Sequence, residues 1–182
     1  MSKIYTVETG LFSIENGRPK FKEADLRVPL VSTTLIGRAA NALEDALCEG
    51  GTLIQATTEF VKYTGRPSYN GTKIIMPGSE HLDISREHGR LDLANPRVNP
   101  FYTHLSTKER PTTLWMPNDG VVKEVYYPGE LIDLLLGADN IADRYLLLGG
   151  SKNVSLDAKY IHPSYYVLIR KQEVPNGSVK SQ

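Results

Sequence analysis

Histidine is the side chain in this sequence best suited to proton transfer or metal ligation, and three of the four copies (His81, His88, His104) fall between Pro77 and Pro111. Glu80, Asp83, Glu87 and Asp92 stand beside them, so imidazole and carboxylate ligands for a zinc-like ion are present in type. Their spacing matches no metal motif, because HEXXH and paired CXXC are absent. Gly78, Gly89 and Pro96 argue against the one long helix that would align His81 with His88. No metal ligand or cofactor is assigned, and Asp83, Arg86, Glu87 and Arg90 read as a solvated, salt-linked loop.

A second pattern is more specific. His104-Leu105-Ser106 and His162-Pro163-Ser164 are two H-x-S triplets, 58 residues apart, each beside a possible strand. Two imidazoles facing one cleft can serve as general acid and general base, while a hydroxyl two residues beyond each holds phosphate oxygens. In form this is similar to the paired H-x-T/S motifs of the two-histidine phosphoesterases. The resemblance implies hydrolysis of a phosphodiester in a nucleotide or RNA, with His104 and His162 moving protons and Ser106 and Ser164 binding oxygens. Serine replaces the commoner threonine in both triplets, Pro163 occupies the middle of the second, and Pro100 and Thr103 interrupt the strand expected around His104.

A third group is built for contact. Arg97, Phe101, Tyr102, Arg110 and Trp115 combine cations with aromatic rings, the residue types enriched at protein interfaces and also able to stack on bases. Residues 77–111 carry five acidic and five basic side chains, and the whole chain carries 21 of each. A nucleic-acid footprint needs a basic excess, so a protein partner is the better expectation. Zero net charge also removes the self-repulsion that keeps proteins apart. Walker, G-x-G-x-x-G and G-x-S-x-G motifs are absent. The lone Cys48 excludes an internal disulfide and a multi-thiolate zinc site. The first residues lack a signal peptide's apolar core, and no run approaches the ~20 apolar residues of a membrane helix, so a cytoplasmic protein is expected.

The elements that must position these residues begin with strands over residues 4–31, joined by a hairpin at Asn16-Gly17, with Pro19 and Pro29 confining two of them to edges. Thr33 to Glu49 reads as the main helix, with Leu35, Ala39, Leu43 and Leu47 at helical spacing, a cap at Ser32 or Thr33 and Gly50-Gly51 at its end. Thr52 to Thr64 is read as strand on its threonines, followed by a strand over Lys73 to Met76. Pro117-Asn118-Asp119-Gly120 joins strands at Thr112–Met116 and Val121–Tyr127. Short helices follow at Glu130–Leu136 and Asn140–Leu148, then a strand at Tyr165–Lys171 and a disordered tail over 175–182.

Together these predict one α+β domain over residues 1–174, a hairpin-rich sheet packed by one main helix, with a long irregular loop from Pro77 to Pro111. A 35-residue connection far exceeds the usual about 4–6 and is expected to be functional. The function expected is non-catalytic: an assembly or binding protein, of the general character of viral structural or accessory proteins, that self-associates or takes a protein partner through this loop. Phosphodiester hydrolysis by the two triplets is the alternative.

Overall fold

The computed structural model describes residues 2–24, 26–30, 33–38, 53–55, 72–76, 84–92, 100–134, 143–149 and 164–174. Among them are thirteen strands and no helix. The first six are β1 (Ser2–Glu15), β2 (Arg18–Phe21), β3 (Leu26–Leu30), β4 (Thr34–Arg38), β5 (Leu53–Gln55) and β6 (Thr72–Met76). Next come β7 (Gly89–Asp92), β8 (Phe101–His104), β9 (Thr112–Met116), β10 (Gly120–Val125), β11 (Leu131–Asp133), β12 (Arg144–Leu148) and β13 (Ser164–Val174). No described helix is long and apolar enough to cross a membrane.

Seven strands form one antiparallel sheet in the order β10-β9-β12-β13-β1-β2, with β3 also paired to β1. The other six form a second sheet in the order β11-β8-β7-β4-β6-β5, where β4 and β6 run parallel. Alternation along β13 shows how the sheets meet. Tyr165, Val167 and Ile169 join Val7, Leu114, Leu146 and Leu148 against Ile36, Leu91, Tyr102 and Ile132 of the second sheet. Tyr166 and Leu168 point the other way, into an outer cluster with Phe12 and Leu147. The longest pairing joins β1 to β13, from Ser2↔Val174 to Phe12↔Ser164. Arg170 fastens this pair from outside, gripping the Asp143 carboxylate with two bonds of 2.9 Å and Glu8 at 3.1 Å, while Arg27 approaches the same Glu8 oxygen at 2.7 Å. These carboxylates, led by Asp143, which accepts two hydrogen bonds from Arg170, hold the guanidinium above its ordinary pKa.

The turns follow local chemistry. Asn16 and Gly17 both take positive φ, 50° and 74°, as a two-residue hairpin requires, and Gly120 at 71° closes the β9–β10 turn. Pro19 and Pro29 lie in β2 and β3, outside β1, where a missing N–H is harmless.

The α+β expectation fails. Residues 34–38, expected to begin the main helix, are β4, between β7 and β6, and residues 39–49 lie outside the described residues. Thr34 to Gly37 are all buried, so the strand has no polar alternation to distinguish it from a buried helix. Where the helices were expected near 130–148, residues 131–133 form β11 and residues 144–148 form β12, and residues 135–142 lie outside the described residues. The leucines of β12 are apolar in succession because Leu146 and Leu148 face the inter-sheet core while Leu147 faces the outer cluster. The central loop is corrected too, since β7 and β8 form an antiparallel pair within it. Residues 77–83 and 93–99 of that stretch, and the tail 175–182, lie outside the described residues.

Candidate functional site

The sequence concentrates its candidate chemistry around β7 and β8, and the inward face of β8 carries it into the core. Tyr102 and His104 share that face, and Gly89 of β7 lies opposite His104. A Cβ on Gly89 would stand 2.0 Å from the Tyr102 hydroxyl, so glycine is what admits the ring. His88 is fully buried. Its Nδ1 accepts the Ser85 N–H at 3.2 Å, which leaves the proton on Nε2 to be donated to the Pro111 carbonyl at 3.3 Å. Burial, reinforced by the neighbouring His104 and Arg110 against the pull of Pro111, lowers the His88 pKa to about 3. The ring is neutral by construction.

His104 lies 5.6 Å from His88, centroid to centroid, at 85°. Its Nδ1 is 3.2 Å from Thr112 Oγ1, which is 2.7 Å from the Tyr102 hydroxyl, and that hydroxyl donates to the His88 carbonyl at 3.3 Å. Burial depresses its pKa as well, opposed by the Thr107 backbone and the Glu130 carboxylate. Nε2 of His104 is buried without a partner of good geometry, and the ring is 0% exposed. Ser106, also buried, shares a hydrogen bond with the Ser85 hydroxyl. The hydroxyl expected to hold a phosphate oxygen is thus turned to Ser85 within the buried region.

Of the two triplets, the structure therefore brings His104 and Ser106 into one buried region. Ser164 opens β13 opposite Phe12 in the other sheet, and His162 lies outside the described residues. No group of three or more His, Cys, Asp or Glu able to hold a metal occurs among the described residues. The expected contact residues also divide. Tyr102 is buried beside His104, 6.5 Å between ring centroids, while Phe101 is half-buried on the other side of the strand. Arg110 is half-buried; burial, then Arg86 and then Arg110 lower the Arg38 pKa, and Arg110 adds the smallest push on His88. Arg97 lies outside the described residues.

Trp115 belongs to a different region, the outer face of the seven-stranded sheet. Phe21 stacks on Tyr145 at 4.0 Å and meets Tyr166 at 5.0 Å and Trp115 at 5.4 Å, while Trp115 and Tyr145 meet edge-on at 5.5 Å. In strand order β1, β13 and β12 separate Phe21 from Trp115, so only a strongly curled sheet lets them touch. The curl also brings the β1–β2 and β9–β10 turns together around an open cleft of about 640 Å³. Ile14, Pro19, Trp115 and Val121 supply apolar lining, and Arg18, Asn118 and Asp119 supply polar groups. Sequence reasoning recognised both turns and Trp115 but missed Arg18, Asn118 and Asp119 as neighbours, because no local signal reports sheet curl.

No family model, curated protein or solved structure matches the chain.

Proposed function

We propose that the protein is a non-catalytic binding protein that assembles with copies of itself or with a protein partner. The observation that carries this reading is where its exposed apolar residues lie. Among the described residues, Val121, Val122, Tyr127 and Leu131 are the large apolar side chains left 44 to 60% exposed, and all fall within 121–131. They belong to β10, the following turn and β11, one edge strand from each sheet, joined by the Lys123 ammonium donating to the Leu131 carbonyl at 2.5 Å. Isolated exposed apolar residues are ordinary, but four within eleven residues, on and between two edge strands, are suited to contact. The expected partner surface thus moves from the 77–111 stretch to the 121–131 stretch.

Phosphodiester hydrolysis has weaker support, since His104 is sealed from solvent and a phosphate must reach the ring that gives it a proton. Light scattering after size exclusion tests the leading reading. The wild-type chain should run above its monomer mass of 20.2 kDa, and the V122K/L131K double variant should run as a folded monomer. A wild type that is monomeric at high concentration and captures no protein through this edge would overturn the reading.

A further inference from the structure

We propose that the cleft between the β1–β2 and β9–β10 turns is a binding site for a short neutral saccharide. This goes beyond the assembly reading: the cleft shares Val121 alone with the exposed apolar group on 121–131, and the rest of its lining comes from β1, β2, β9 and their turns.

The size is suitable: about 640 Å³ falls within the roughly 300–1,000 Å³ of small-molecule sites. The chemistry of the lining narrows the class. A sugar ring presents an apolar C–H face and a rim of hydroxyls, each both donor and acceptor. Trp115 offers an indole for the first, with Ile14, Pro19 and Val121 around it. Arg18 offers donors, the Asp119 carboxylate acceptors and the Asn118 amide both, which is what the second requires.

Other ligand classes fit less well. A phosphate or nucleotide calls for a cationic excess, whereas here one arginine is balanced by one aspartate. An acyl chain would leave Arg18, Asn118 and Asp119 without hydrogen-bonding work. An extended peptide would have to add to β2 or β10, the two edges of the sheet at the cleft, but Pro19 removes a ladder N–H from the first and a register shift between Val121 and Lys123 interrupts the second.

The site is also held in shape before any ligand arrives. Phe21 and Tyr145 brace the indole. Asn118 and Asp119 sit in a turn closed by the Asp119 N–H on the Met116 carbonyl at 3.2 Å, and the facing turn is fixed by Asn16 and Gly17 in left-handed conformation. A rim fixed in the free protein loses little conformational freedom on binding.

Trp115 is the chain's only tryptophan, so its emission reports directly on the cleft. The test is to screen the full chain against an array of neutral oligosaccharides and titrate each hit while following that emission. One structural family of saccharides should shift the emission saturably, with 1:1 stoichiometry by calorimetry. Asp119→Ala and Asn118→Ala, at exposed positions that leave the fold intact by circular dichroism, should each weaken binding by roughly tenfold, about 1.4 kcal/mol. Trp115→Phe, followed by calorimetry because it lacks the emitting side chain, should weaken binding further. The proposal is overturned if no neutral saccharide shifts the emission, if a shift is unaffected by the rim variants, or if a proline-rich peptide saturates the cleft where sugars do not. The V122K/L131K variant separates the two readings, because it should lose assembly and keep saccharide binding.

Discussion

The buried cluster around His88 and His104 and the cleft around Trp115 contain comparable polar and aromatic chemistry, arranged to opposite ends. In the first, the Ser85 N–H and the Pro111 carbonyl are turned to His88, the Tyr102 and Thr112 hydroxyls to each other, and both imidazoles, Tyr102 and Thr112 are buried. In the second, Arg18, Asn118 and Asp119 stand exposed around a half-buried indole. Inward-directed hydrogen bonds fix the packing of a core, whereas outward-directed ones are available to a ligand. Residue type alone does not separate the two; the direction in which each donor and acceptor points does.

The contrast is sharpest under acid. His88 is held neutral with a pKa of about 3, while an unfolded histidine titrates near 6.5. Between those values the unfolded chain binds the extra proton, so stability is complete above about pH 6.5 and falls as pH drops. By pH 3 the loss should approach about 4–5 kcal/mol, read from urea melts across the range. His88→Gln should flatten that slope, and an unchanged slope would remove His88 as its source. The next largest effect is steric. Gly89→Ala sets a methyl 2.0 Å from the Tyr102 hydroxyl in the packed core and should cost about 3 kcal/mol or more by denaturant melting. At the cleft the expectation reverses. Asp119→Ala should leave stability within about 0.5 kcal/mol while removing most saccharide affinity, so an equal loss of both would erase the distinction between the regions.

Much of the strand architecture was legible from local chemistry. Asn16-Gly17 and the turn ending at Gly120 were readable because positive φ restricts residue type. Pro19 and Pro29 correctly marked edge strands. β4 and β12 were misread as helix for a shared reason: strands covered on both sides lose the period-two alternation by which a strand is recognised, and leucine or alanine neighbours then imitate a helix. His104 was found in the sequence, but its burial follows from Gly89 making room for Tyr102 across the β7–β8 pair, a relation between residues that spacing does not encode. Trp115 was singled out as a contact residue, but the cleft beside it depends on the curl of the seven-stranded sheet, which no local spacing reports.

The β1–β13 pairing has a consequence for how the chain reaches this state. Ser2 meets Val174 and Phe12 meets Ser164, so the inner seam of the larger sheet joins residues separated by more than 150 positions. A ribosome releases β1 long before its neighbour exists, and loops of that span close slowly. Through most of synthesis one edge of β1 must stay unpaired, open to any other strand nearby. Only with the arrival of β13, and of Arg170 to grip Glu8 and Asp143, does the first strand acquire its permanent place.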